Sequence, residues 1–220
     1  MKTTDFGLQY IIFSLFFCII FLLSACSKDA LSIEEELDKE LLTLSGVSEK
    51  NLYYWSDNRK IPLKINGYTI TVRSKLEASE LESQLSRLLK ENLTGFTFYE
   101  GTSYMVISSK VHFGEFMQWK DVHPKHLFEQ IIPSFFVESS PIIVTGELVL
   151  KPQKENTIMS ILEEYGDQVE LIKTTTYNTS IVKVNQLSSL LPIGNNIYES
   201  GMAEWCHPNF HSSPILFDQR

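Results

Sequence analysis

LVLKPQKENTIMSILEEYGDQVELIKTTTYNTSIVKVNQLSSLLPIGNNIYESGMAEWC, residues 148–206, is the stretch whose reading decides the fold. Leu148–Leu150 reads as a strand. In Asn156–Tyr165, Ile158, Ile161, Leu162 and Tyr165 recur at the spacing that lines one side of a helix, and Gly166 closes it. Val169–Thr175 and Ser180–Val184 read as strands, Asn195–Ser200 as one or two helical turns, and Met202–Cys206 as a last strand. The order β-α-β-β-α-β predicts an α+β fold of the split β-α-β, ferredoxin-like kind: an antiparallel sheet with two helices on one face.

Upstream, Ile61, Leu63 and Ile65 alternate towards Asn66-Gly67, and Tyr68, Ile70 and Val72 alternate away from it. That pattern predicts a hairpin turning at Asn66-Gly67. Leu76, Leu81, Leu85, Leu88 and Leu89 form a helical stripe, and Phe96–Tyr99 and Tyr104–Ser108 read as strands flanking Gly101. A helix is expected over Pro124–Ile131, opened by Pro124 and ended by Pro133, before strands at Phe135–Val137 and Ile142–Thr145. Lys110–Val122 fits neither period. The same β-α-β-β-α-β order can be traced from Tyr68 to Thr145, which predicts two tandem modules, 53–145 and 146–210, with 211–220 as a C-terminal tail. Residues 26–52 are charged and poor in aromatics; Ser32–Leu44 reads as a helix with Ser32 and Glu35 as a capping box and Gly46 as its stop. Ile33, Leu37, Leu41 and Leu44 share one face, which suits either a tether or a partner-binding helix.

At the N-terminus, Tyr10–Ala25 is a nearly uninterrupted apolar run without a charge. It has the length of a signal peptide's hydrophobic region. It closes as Leu23-Ser24-Ala25-Cys26, which resembles the bacterial lipobox. The resemblance implies cleavage before Cys26, with residues 1–25 as signal peptide, and a thioether-linked lipid on Cys26 that anchors the protein to a membrane of the cell envelope. Ser27 is unlike an inner-membrane retention residue, which favours the outer membrane. An ordinary secretory signal or a short membrane anchor is the alternative, since Asp5 offsets Lys2 in a weakly basic start. A hydrophobic content of 43% marks a globular chain, and a net charge of −8 argues against a nucleic-acid partner. With Cys18 in the signal and Cys26 lipidated, Cys206 has no internal disulfide partner.

The residues Asn195-Asn196-Ile197-Tyr198-Glu199-Ser200-Gly201-Met202-Ala203-Glu204-Trp205-Cys206-His207-Pro208-Asn209-Phe210 resemble the end of the N-terminal prodomain of subtilisin-family serine peptidases, in particular those of Bacteroidetes. There an aliphatic-Tyr-Glu-Ser/Thr-Gly helix end runs into a last strand and an acidic-Pro-Asn/Asp-Phe exit. Tyr53-Tyr54-Trp55 with Lys60-Ile61-Pro62-Leu63 resembles the opening of such prodomains, and Glu147-Leu148-Val149-Leu150-Lys151 their middle strand. The resemblance implies a plate that binds a subtilisin-like peptidase as inhibitor or folding partner, its sheet on two helices of the enzyme and its tail in the substrate cleft. It places partner contacts at Glu204, Trp205, His207, Pro208, Asn209, Phe210 and His211, although the family usually has an acidic residue where His207 stands. No aspartate or histidine catalytic block accompanies it, so no catalytic residue and no cofactor are expected. Gly101-Thr102-Ser103 echoes the family's nucleophile motif only in those three residues and reads as a turn.

Three other constellations bear on function. His123 and His126, with His112 or Asp121, have the types but not the complete set that a zinc site requires, so no metal is assigned. Trp55, Trp119 and Trp205 suit either a core or a sugar-stacking patch. The alternative functions are therefore a non-catalytic surface or adhesion lipoprotein that recognises a peptide or glycan, and the truncated remnant of a peptidase.

Overall fold

Asp57 and Asn58 both adopt left-handed backbone, φ 48° and 59°, in the two-residue turn that joins β1 (Tyr53–Ser56) to β2 (Arg59–Pro62). Asp and Asn tolerate that region, and a turn left-handed at both positions matches the twist of the strands it connects. The computed structural model describes residues 32–99, 104–119, 124–154 and 156–211. The hairpin expected at Asn66-Gly67 is absent from it: β3 (Lys64–Arg73) runs through both residues, and Gly67 does not have a positive φ. Instead residues 67–69 bulge, between the pairs Asn66↔Ser134 and Ile70↔Pro133. The reason is tertiary. A Cβ on residue 67 would stand 1.7 Å from Nε2 of His112, so the glycine is required for close approach and not for a turn.

After β3 come α2 (Ala78–Leu89), β4 (Leu93–Tyr99), β5 (Tyr104–Ser109), two single-turn helices α3 (Phe113–Phe116) and α4 (Pro124–Leu127), and β6 (Gln130–Val137). The helix expected to reach Ile131 stops at Leu127, and Pro133 lies within β6 beside the bulge, where a missing N–H is tolerated. The remainder is β7 (Ser140–Pro152), α5 (Ile158–Tyr165), β8 (Val169–Thr174), β9 (Ser180–Val184), α6 (Leu190–Glu199) and β10 (Ala203–His211). All pairings are antiparallel, so the protein is a mixed α+β fold. One eight-stranded sheet runs β4-β5-β3-β6-β7-β9-β8 with β10 also on β7; β1 and β2 form a separate pair.

The two halves repeat a detail that the residue types conceal. α2 ends on Lys90 at φ 51°, ψ −126°, and α5 ends on Gly166 at φ 51°, ψ −125°. Each is followed by a 3-10 turn, Lys90–Asn92 or Gly166–Gln168, that feeds β4 or β8. Glycine takes this conformation readily, and lysine takes it under strain.

Two apolar clusters hold the halves. In one, Leu81, Leu85 and Leu89 of α2 meet Ile70, Val72, Met105, Ile107, Phe113 and Phe116. In the other, Leu148, Leu150, Val182 and Cys206 meet Ile161 of α5 and Ile193 and Ile197 of α6, together with Tyr104, Ile132 and Phe135 from the first half. Polar bonds cross between the halves as well. Arg73 donates to the Asn185 carbonyl (3.2 Å) and to the Tyr104 hydroxyl (2.7 Å), which donates to the Val184 carbonyl (3.2 Å).

The N-terminal helix, α1 (residues 32–45), belongs to this packing. Leu41 enters one cluster and Leu42 the other, while Ile33 and Leu44 of the expected apolar face are exposed. Asp38 accepts from His112 Nε2 at 3.0 Å, and Gln118 donates to Glu40 at 2.9 Å. The latter half of α1 is thus docked on the body, unlike a free tether.

Candidate functional site

The last strand carries most of the residues to which partner binding was assigned, and it is longer than the expected Met202–Cys206. β10 pairs with β7 from Ala203↔Pro152 to His211↔Ile143. The exit residues therefore do not leave the sheet after Cys206, because β7 continues to Ser140 and supplies a partner. Near Pro208, β7 bulges at residues 145–147, with Gly146 at φ 77°. Asn209 fills the irregularity: its Nδ2 donates to Glu147 (2.7 Å) and its carbonyl accepts from the Thr145 hydroxyl (3.0 Å). Pro208 is buried, and Phe210 packs edge-on against Tyr54 with centroids 4.9 Å apart. Pro208, Asn209 and Phe210 thus hold β10 in place. Beyond the strand pairing of His211, the side chain of His211 and the tail 212–220 lie outside the described residues. So do Cys26, Gly101-Thr102-Ser103, Asp121 and His123.

Strand pairing divides β10, β7 and β9 into two faces. Cys206, Leu150, Leu148, Pro208 and Val182 point towards α5 and α6. Trp205, His207, Val149, Lys151, Ile181 and Lys183 point away, and each is only partly buried. α6 lies close because Gly194 lets it: a Cβ there would meet Leu148 at 2.9 Å.

Where the outer side of β10 meets the β1–β2 hairpin, a cleft of ≈ 310 Å³ is lined by Trp55, Ser56, Asp57, Asn58, Tyr198, Glu204, Trp205 and His207. Two pairs of rings line it. Trp205 and His207 stack at 5.3 Å and 16°, and Trp55 and Tyr198 lie 5.0 Å apart, tilted by 32°. Trp55 is fixed from behind. Glu199 accepts from Trp55 Nε1 (2.9 Å) and the Tyr53 hydroxyl (3.0 Å) and pairs with Lys60 Nζ (3.4 Å), which itself sits 4.2 Å from the Tyr53 ring centre. The Trp55 hydrogen bond, with those of Tyr53 and Lys60, holds the Glu199 carboxyl below the usual carboxylate range against the opposing effect of desolvation. The Tyr198 hydroxyl donates to Asn58 Oδ1. Glu204 Oε2 pairs with Lys151 at 2.6 Å.

No protein-family model and no curated protein matches the chain.

Three of the expected contact residues, Glu204, Trp205 and His207, line the cleft; Asp57, Asn58 and Tyr198 join them unforeseen. The Asp-Asn pair was a turn signal that could have placed the hairpin, but nothing local says where a hairpin docks. Of the three tryptophans, Trp55 and Trp205 share the cleft, whereas Trp119 packs edge-on against Phe116 at 5.4 Å beside the first-half cluster. The histidines do not converge on a metal. His112 is buried; its Nδ1 accepts from Gly114 N, so Nε2 carries the proton given to Asp38. Among the described residues no three His, Cys, Asp or Glu side chains are gathered to hold an ion. Cys206 is buried, and desolvation pushes its thiol far above the ordinary range, which suits a packing role and not a nucleophile. Among the described residues no helix is long and apolar enough to cross a membrane.

Proposed function

We infer that the protein is a non-catalytic lipoprotein of the cell envelope, anchored through lipid on Cys26 to the outer membrane and carrying its working domain outside the cytoplasm. Its body is read as two tandem split β-α-β plates, and the second as a prodomain-like inhibitor or folding partner of a subtilisin-like peptidase. The strand orders β4-β5-β3-β6 and β8-β9-β7-β10 support the tandem reading, since each places the first and third strands of its half at the centre. The shared helix ends at Lys90 and Gly166 support it further.

The observation that carries the functional reading is the outer face of the second plate. Two helices cover one side of the sheet, while Val149, Ile181, Trp205 and His207 are left partly exposed on the other. A flat face with apolar and aromatic anchors inside a rim of Lys151, Lys183 and Glu204 has the composition of a docking surface. The tail beyond His211 then follows directly from a strand at the edge of that face, where an extended segment can add to a peptidase cleft by backbone hydrogen bonds. The test is inhibition of subtilisin-like peptidases by the protein from Ser27 onward, with and without residues 212–220. Saturable, tail-dependent inhibition is expected; absence of both inhibition and complex formation across a panel refutes the reading. A second reading, a surface module that binds a peptide or glycan, is favoured by the meeting of Trp55 and Trp205 in one cleft.

A further inference from the structure

The cleft at the rim of that face is rich in unused acceptors. The Asp57 carboxylate makes no hydrogen bond or ion pair among the described residues. Glu204 commits Oε2 to Lys151 and leaves Oε1 without a donor among them. His207 Nδ1 lies 2.9 Å from the Pro208 carbonyl; a carbonyl can only accept, so Nδ1 donates and the neutral ring presents Nε2 as an acceptor. None of the eight lining residues is a cation. Lys60 lies over the Trp55 ring, 5.2 Å from its centre, with its charge met by Glu199.

Acceptors at the rim beside the rings of Trp55, Tyr198 and Trp205 suit a ligand that only donates and is itself flat. A guanidinium meets both demands: it has five N–H donors and no acceptor, it stacks on aromatic faces, and its charge is attracted by them. An ammonium lacks the plane and is more strongly hydrated. An anion meets two carboxylates, and a saccharide needs donors in balance with acceptors, whereas this lining sets side-chain donors at Ser56, the Asn58 amide and the Trp205 indole against the carboxylates of Asp57 and Glu204 and the His207 ring. Because Trp55 is held by Glu199 and Tyr198 by Asn58, few side chains lose freedom on binding. A volume of ≈ 310 Å³ is at the small end for ligand clefts and suits one long side chain.

We propose that this cleft receives an arginine side chain presented by a partner protein. The proposal rests on the reading of the adjoining face as a docking surface, and it names what the partner brings to the rim. The experiment titrates the full chain, in detergent, with acetyl-Gly-Arg-Gly-amide, and with the citrulline and lysine analogues, following tryptophan fluorescence and heat. Saturable binding of the arginine peptide is expected, with citrulline weaker by about tenfold, the order of a cation lost from an aromatic and acidic site. D57N and E204Q each weaken the arginine peptide, and asparagine keeps the left-handed turn at position 57, so the hairpin survives the change. Trp205→Ala abolishes binding. Equal affinity for citrulline, indifference to D57N and E204Q, or saturation by a neutral hexose instead overturns the proposal. Arginine binding by a protein that inhibits no peptidase keeps this site and removes the prodomain reading; inhibition without arginine binding does the reverse.

Discussion

Gly67→Ala tests the account of why β3 runs through Asn66-Gly67. The His112 ring occupies the space of the missing methyl, with Nε2, Cε1 and Cδ2 at 1.7, 2.3 and 2.4 Å from an ideal Cβ. The ring cannot retreat cheaply, because it is 3% exposed, bonded to Asp38 and to Gly114 N, and packed edge-on against Tyr68 at 5.2 Å. Displacing it forfeits a charge-assisted hydrogen bond, about 1.5–3 kcal/mol, and a helix cap, about 1 kcal/mol. Gly67→Ala is therefore expected to cost about 2.5–4 kcal/mol, and His112→Ala about the same. The backbone at residue 67 itself accepts alanine, which elsewhere contributes about 0.4–1 kcal/mol through the unfolded chain. Once the ring is gone, Gly67→Ala becomes neutral or mildly stabilising, so the double variant is no worse than His112→Ala alone. The coupling, about 3 kcal/mol, is read from a double-mutant cycle by urea unfolding followed by tryptophan fluorescence. Additive losses, or a Gly67→Ala variant within about 1 kcal/mol of the parent, refute the close-approach argument and return the glycine to a turn.

Lys90→Gly relieves the left-handed residue at the end of α2 and is expected to stabilise the protein by about 1 kcal/mol in the same urea assay; no gain would mean that the strain is absorbed elsewhere. Glu199 titrates below an ordinary glutamate when folded, so its stabilisation of the hairpin is complete above the usual carboxylate range and is lost as pH falls through the depressed value. An acid transition in the fluorescence of the parent that E199Q lacks checks this, and identical acid limbs contradict it. Cys206 is buried with its thiol pushed strongly upward, so native protein from Ser27 onward is expected to resist alkylation until it unfolds. Labelling at the rate of an exposed thiol would place Cys206 at the surface.

Much of the fold is carried by local pattern. The stripe of Leu81, Leu85 and Leu89, the glycine-closed helix from Ile158 to Tyr165, and the strand Ser180–Val184 each need only their own residues to be read, because periodicity and end signals act within a few turns. The resemblance of Leu23–Cys26 to a lipobox is legible in the same way, as a run of side chains. What tertiary structure alone decided depends on residues far apart in the chain. Asn66-Gly67 has the composition of a turn, but His112 is built into its space, and the turn forms at Asp57-Asn58 instead. The last strand outruns its local apolar pattern because β7 extends beneath it and Asn209 bridges the bulge. Trp55, Tyr198 and Trp205 form one cleft only because Glu199 and Asn58 tie the hairpin to α6. Local spacing determines which face a side chain takes on its own element; which element meets that face is set by long-range burial and hydrogen-bond satisfaction.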